Sequence, residues 1–153
     1  VADPAPIDGA TVSPGLAEAV LRDALAAFPY VRLRVTGGCM APALLEGDLV
    51  HVAGVGARAP RLRDVVLVWS PSGPLLHRLV WAPLRAPRWW RTKADRAALL
   101  DPRPAPGALL GTVVAVERAG ATAPVPRRAL LTLTSLSRAI AFRARAAVAR
   151  RRR

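Results

Sequence analysis

The chain is expected to fold as a mainly β, antiparallel domain flanked by an N-terminal and a C-terminal helix. Between Tyr30 and Glu117 the apolar residues alternate, or cluster in short runs separated by Pro, Gly and Arg, the pattern of β-strands joined by turns. On either side the spacing lengthens to that of a helix. At 153 residues and 52% hydrophobic, the chain is long enough for one domain with its own core and too apolar for a disordered one.

Residues 1–12, acidic and rich in proline, read as a flexible leader. The first helix is expected over 13–29: Ser13 stands at the cap and Pro14 in the first turn, where its missing N–H costs nothing. Leu16, Val20, Leu21, Leu25 and Phe28 recur at helical spacing, and Glu18 and Asp23 keep the segment amphipathic, so it is expected to pack against the domain. The β domain spans 30–117. Its strands are expected at Val31 to Val35, Leu49 to Val52, Val65 to Trp69, Leu75 to Trp81, Trp89 to Thr92 and Leu109 to Val116. His51 is expected to face solvent, and most of Trp69, Trp81, Trp89 and Trp90 to pack in the core. Residues 118–153 comprise a linker through Pro126 and a basic helix, with Leu133, Leu136, Ile140, Ala144 and Ala147 on one face, ending in an arginine tail.

The net charge of +13 is unevenly spread. Residues 1–57 carry three arginines against six acids, whereas residues 58–153 carry twenty basic groups against four acids. Lys93 is the only lysine among 23 basic residues, and the weight of Arg, Ala and Pro matches a GC-rich coding bias. The nine arginines of 127–153, with no acid among them, favour an anionic membrane surface, nucleic acid or an acidic partner. A single cysteine excludes an internal disulfide. Cys39 with His51 and His77 is too small a set for a closed zinc site, and no glycine-rich phosphate loop is present. No cofactor or metal is implied. No apolar run reaches the length of a membrane-spanning helix, and the N-terminal residues lack the pattern of a secretory signal. These features point to a cytoplasmic or membrane-peripheral protein.

Two residues carry the chemistry. Cys39 follows Gly37 and Gly38 at a bend after the alternating run Val31-Arg32-Leu33-Arg34-Val35, and His77 lies within the apolar run Leu75 to Val80. A thiol on a glycine turn and an imidazole on a strand can form a nucleophile–base pair. A thiol titrates near 8.5 in the absence of perturbation and an imidazole near 6.5, so the ring is a suitable acceptor for the thiol proton.

The sequence around both residues resembles the signal peptidase family. Cys39-Met40-Ala41-Pro42 is similar to its Ser-Met-x-Pro nucleophile box, with cysteine for serine, and Gly47-Asp48 follows as the family's Gly-Asp does. Arg63-Asp64-Val65-Val66 resembles Gly-Asp-Val-Val with arginine for glycine, and His77-Arg78-Leu79-Val80 resembles the general-base strand in its histidine form. Thr92-Lys93-Ala94-Asp95 resembles Thr-Lys-Gly-Asp with alanine for glycine, and Leu110-Gly111-Thr112-Val113-Val114 resembles the closing Gly-x-Val-Val strand. The boxes run in the family's order over roughly residues 31–117.

The resemblance implies a signal-peptidase-like β fold in which the Cys39 turn and the His77 strand are neighbours, and a peptidase that cleaves leader, signal or precursor peptides. Asp101 and Asp95 are the candidates by position for the acid that orients His77. The Cys39 N–H is one oxyanion donor; many family members have a serine hydroxyl two residues before the nucleophile, where this chain has Gly37. Met40, Pro42, Gly47, Asp48, Asp64, Arg78 and Lys93 are expected to support the turn and strands. The altered residues leave open a second function, a peptide-binding protein without cleavage, and the arginine-rich end a third, a module for nucleic acid or anionic membrane.

Overall fold

In a computed structural model, residues 13–81 and 90–126 are described. The leader over 1–12, the start of the fifth expected strand at Trp89 and the basic helix of 127–153 lie outside them.

The β period predicts the strands closely. The described elements are α1 (Pro14–Ala27), β1 (Val31–Arg34), β2 (Leu49–Gly54), β3 (Val65–Ser70), β4 (Gly73–Trp81), β5 (Arg91–Lys93), β6 (Leu109–Arg118) and β7 (Ala121–Ala123). One antiparallel sheet contains all seven strands in the order β1-β2-β6-β3-β4-β5, with β7 paired to β6. The fold is therefore mainly β with one helix among the described residues, as expected. The linker expected from 118 to 126 is instead partly strand. Ala119 and Gly120 both take positive φ, 50° and 79°, the backbone of a two-residue hairpin turn whose twist suits antiparallel strands. Alanine in the first of these positions hides the turn from a reading by residue type.

Alternation along β3 and β4 sorts two apolar clusters onto opposite faces of the sheet. Val65 and Leu67 join Leu25, Val35, Met40, Leu44, Val50, Val52, Ala94, Leu110, Val113 and Val116 in the larger one. Val66, Val68 and Leu79 join Ala108 in the smaller, with Trp90 packed against it. The tryptophans are less buried than expected: Trp69 and Trp90 are half-buried, and Trp81 is 58% exposed. A register shift between Leu79 and Trp81 sets Trp81 opposite Arg91 at the sheet edge.

The helix packs through Leu21 and Leu25, leaving Leu16, Val20 and Phe28 exposed. The Ser13 side chain makes no capping bond; its carbonyl accepts from the Ala17 N–H at 3.0 Å. His51 does not face open solvent. Its ring stacks on Tyr30 with centroids 4.5 Å apart, and Nε2 pairs with Glu117, which Arg32 also holds. Cross-strand register explains the enclosure, since Arg32 lies opposite His51 on β1 and Glu117 opposite Leu49 on β6.

The loop between β1 and β2 closes the larger core. Val35 N–H donates to Asp48 O at 2.8 Å and Gly47 N–H to Val35 O at 2.9 Å, cinching the loop at its base. Within it Met40 and Leu44 are fully buried, each contributing about 2 kcal/mol by burial. Asp48, itself buried, accepts from Leu45 N–H at 2.7 Å and from two nitrogens of Arg118 at 2.9 and 2.6 Å. The Arg118 contact holds the Asp48 carboxyl below its ordinary range, against the opposing effect of burial.

Gly111 is the tightest point of the sheet. A Cβ there would sit 2.6 Å from Ala53 O and 2.7 Å from Val52 Cγ1, and backbone in a central strand has no room to retreat. Gly111→Ala is expected to cost about 2–3 kcal/mol and to lower the melting temperature by roughly 5–10 °C. An unchanged thermal midpoint would mean that β2 and β6 are not packed this closely.

Candidate active site

β4 presents two adjacent polar residues to opposite faces. His77 lies opposite Val66 and Arg78 opposite Val65, so His77 shares the side of the smaller cluster and Arg78 the side of the larger. β5 pairs beside them, with Lys93 opposite Arg78 and Thr92 opposite Leu79. The segment after β5 then supplies a carboxylate to each face.

Asp101 serves His77. Its Oδ2 lies 2.6 Å from His77 Nδ1 and accepts the Thr92 hydroxyl at 2.6 Å, while the Asp101 N–H donates to Thr92 O at 2.9 Å. Burial pushes the Asp101 carboxyl up, but the hydrogen bonds from His77 and Thr92, aided by the charges of His77 and Lys93, outweigh it and lower the net value. Asp101 is thus ionised at neutral pH and can only accept, so the shared proton is on Nδ1. In the neutral ring the lone pair is therefore on Nε2, to which no described residue bonds. Because the folded value is depressed, this arrangement holds above the ordinary carboxylate range and is lost as pH falls through the lowered value.

Asp95 serves Arg78. Nε and Nη2 donate to its two oxygens at 2.7 and 2.6 Å, and Nη1 donates to Arg63 O at 2.8 Å. Both side chains are almost wholly buried, at 2% and 7% exposure. Arg63 has φ 75°, a left-handed conformation that costs a side-chain-bearing residue about 1–2 kcal/mol. That conformation turns its carbonyl to the Arg78 guanidinium. Asp95 therefore makes no contact with His77; the orienting carboxylate is Asp101. Asp64 is buried and accepts from Arg61 N–H at 2.9 Å, shaping the turn into β3. Lys93 is buried at 2% exposure and donates to Ala94 O at 3.0 Å. Burial draws its pKa below the usual lysine value, an effect the charges of Asp95 and Asp101 oppose.

Cys39 comes to this end of the sheet from the far edge. Gly37 takes φ 93°, which glycine adopts freely and other residues do not, and the chain then turns with Ala41 N–H donating to Gly38 O. The Ala41–Pro42 peptide is cis. Cys39 O accepts from Arg96 N–H at 3.0 Å, and the Asp95 N–H donates to Met40 Sδ at 3.4 Å. Segment 92–101 thus binds the Cys39 turn, Arg78 and His77 together. The thiol is exposed and makes no hydrogen bond to His77. Thr92 and Arg96 are the residues that sequence reasoning did not single out for the site. Thr92 stood within a motif in which only Lys93 and Asp95 had been given roles, and Arg96 lies outside every motif.

No family model, curated protein or solved structure matches this chain. Among the described residues no three His, Cys, Asp or Glu side chains gather as a metal site, and no helix is long and apolar enough to cross a membrane.

The two aspartates should separate cleanly on mutation. Asp95→Asn breaks a buried ion pair and is expected to cost about 3–5 kcal/mol, whereas Asp101→Asn should cost about 1 kcal/mol, the scale of an ordinary hydrogen bond. Urea denaturation of both variants checks this. Equal losses would contradict the division of labour between the faces.

Proposed function

We propose that the chain is a cysteine-dependent peptidase of the signal peptidase type, acting on leader, signal or precursor peptides through Cys39, His77 and Asp101. The observation that carries this reading is the Asp101–His77 contact at Nδ1, which would leave Nε2 free to act as a base, with the Cys39 turn fastened to the same 92–101 segment through the Arg96 N–H. The order of boxes from Cys39 to Val114 supports it independently.

The chemistry follows from the tautomer. Nε2 takes the thiol proton as Cys39 Sγ bonds to the peptide carbonyl carbon, and the C=O electron pair moves to oxygen. Collapse of this adduct breaks the C–N bond, and the proton on Nε2 passes to the leaving amine. Water then adds to the thioester, giving its proton to Nε2, and as the C–S bond breaks the sulfur takes that proton back to return the thiol and a neutral ring. Asp101 keeps Nδ1–H fixed throughout and stabilises the ring while it is charged. The resting thiol is not bonded to His77, so this mechanism requires the pair to meet when substrate occupies the turn. The family preference for small residues before the cut is expected here, and the arginines of 127–153 would attract an acidic partner, nucleic acid or anionic membrane with strong salt dependence.

A second reading, peptide binding without cleavage, is favoured by the same open thiol and by the absence of a hydroxyl at Gly37. Mass spectrometry of a proteome-derived peptide pool incubated with wild type or Cys39→Ala decides between them. Cuts after small residues seen only with wild type are expected, with partial retention in Cys39→Ser. Identical digests from wild type and Cys39→Ala, with uncut peptides retained by both, would replace the first reading by the second.

A further inference from the structure

A cysteine adduct puts negative charge on the former carbonyl oxygen, and the Gly37–Gly38–Cys39 turn offers only backbone N–H groups to meet it. The guanidinium of Arg96 lies against this turn. A Cβ on Gly38 would sit 3.8 Å from Arg96 Nη1, with no other atom beyond its chain neighbours so near. The side chain is anchored at its root by the bond from Arg96 N–H to Cys39 O at 3.0 Å. The neighbouring cations are occupied: Arg78 by Asp95 and the Arg63 carbonyl, and Lys93 by the Ala94 carbonyl. Among the described residues the Arg96 guanidinium has neither a carboxylate nor a carbonyl partner. A free, charged fork beside a bare glycine turn is placed to receive an anion that forms there.

We propose that Arg96 is a catalytic residue of this site, donating to the oxyanion of the Cys39 adduct in place of the hydroxyl that Gly37 lacks. The inference rests on the peptidase reading. As Sγ bonds to the carbonyl carbon and the π pair moves to oxygen, Arg96 supplies hydrogen bonds and positive charge to that oxygen. When the C–N bond breaks the pair returns and the contact weakens, so the stabilisation is greatest in the transition state.

Because Cys39 is the only cysteine, alkylation reports on it alone. Its rates with iodoacetate and with the neutral iodoacetamide should be compared at fixed salt in wild type, Arg96→Gln, Arg96→Lys and the surface variant Arg58→Gln. A charge beside the thiol favours the anionic reagent, so the rate ratio is expected to fall about three- to fivefold in Arg96→Gln and to hold in Arg96→Lys and Arg58→Gln. On peptides cut by wild type, Arg96→Gln is expected to lose about 100-fold in kcat with KM little changed. An unchanged alkylation ratio, or a rise in KM with kcat intact, overturns the oxyanion role and leaves the peptidase reading standing. A wild type that cuts nothing overturns both, whatever the ratio.

Discussion

The architecture depends on the burial of Met40 and Leu44 between two parts of the sheet that do not hydrogen-bond to each other. β1 and β5 are the ends of the main strand path, and the Cys39 turn follows one while the segment with both aspartates follows the other. Met40 fills the gap, sharing the larger core with Ala94 and accepting a bond from the Asp95 N–H. Without that plug, the Cys39 turn and the 92–101 segment would belong to opposite margins of an open sheet. The loop can bear the load because both its ends are fixed, by backbone bonds between Val35 and Gly47–Asp48 and by the Asp48–Arg118 pair.

The second organising feature is the separation of two adjacent polar residues by the pleat. Arg78 turns inward, where its charge is matched by Asp95 and its remaining donor by the strained Arg63 carbonyl. This is a structural ion pair, fully satisfied and with no group left for chemistry. His77 turns the other way and is satisfied on one nitrogen only. The same pleat that buries one charge leaves the neighbouring residue half-committed, which is the condition for a base. Segment 92–101 enforces both outcomes at once, since it carries Thr92, Asp95, Arg96 and Asp101.

Much of this was legible in the sequence because the signals are local. Alternation announced the strands, and Ser13-Pro14 the helix start. The glycine turn, the lone cysteine and the histidine on a strand marked the candidate chemistry, and the ordered boxes named the chain's resemblance. What remained hidden depends on the pleat or on backbone angles that residue type does not reveal. Position favoured Asp101 over Asp95 only slightly, and the opposite facings of His77 and Arg78 are what separate them. The hairpin at Ala119–Gly120 was concealed by alanine in a left-handed conformation. His51 was read as exposed because its stacking on Tyr30 and its pairing with Glu117 arise from cross-strand register. Arg96 carried no signal at all; its significance comes from its place over Gly38.

The geometry joins Asp101 to His77 and fastens the Cys39 turn, through buried Met40 and the Arg96 N–H, to the same 92–101 segment; activation of Cys39 by His77 is the function proposed for it. The most direct measurement of this account is the rate of Cys39 acylation by a small activated ester, followed by intact-protein mass in wild type and His77→Ala with the fold verified in each. Base assistance predicts that the rate at neutral pH falls about 100-fold in His77→Ala. Acylation at the same rate in both proteins would contradict it, leaving Cys39 an exposed thiol with no base at work.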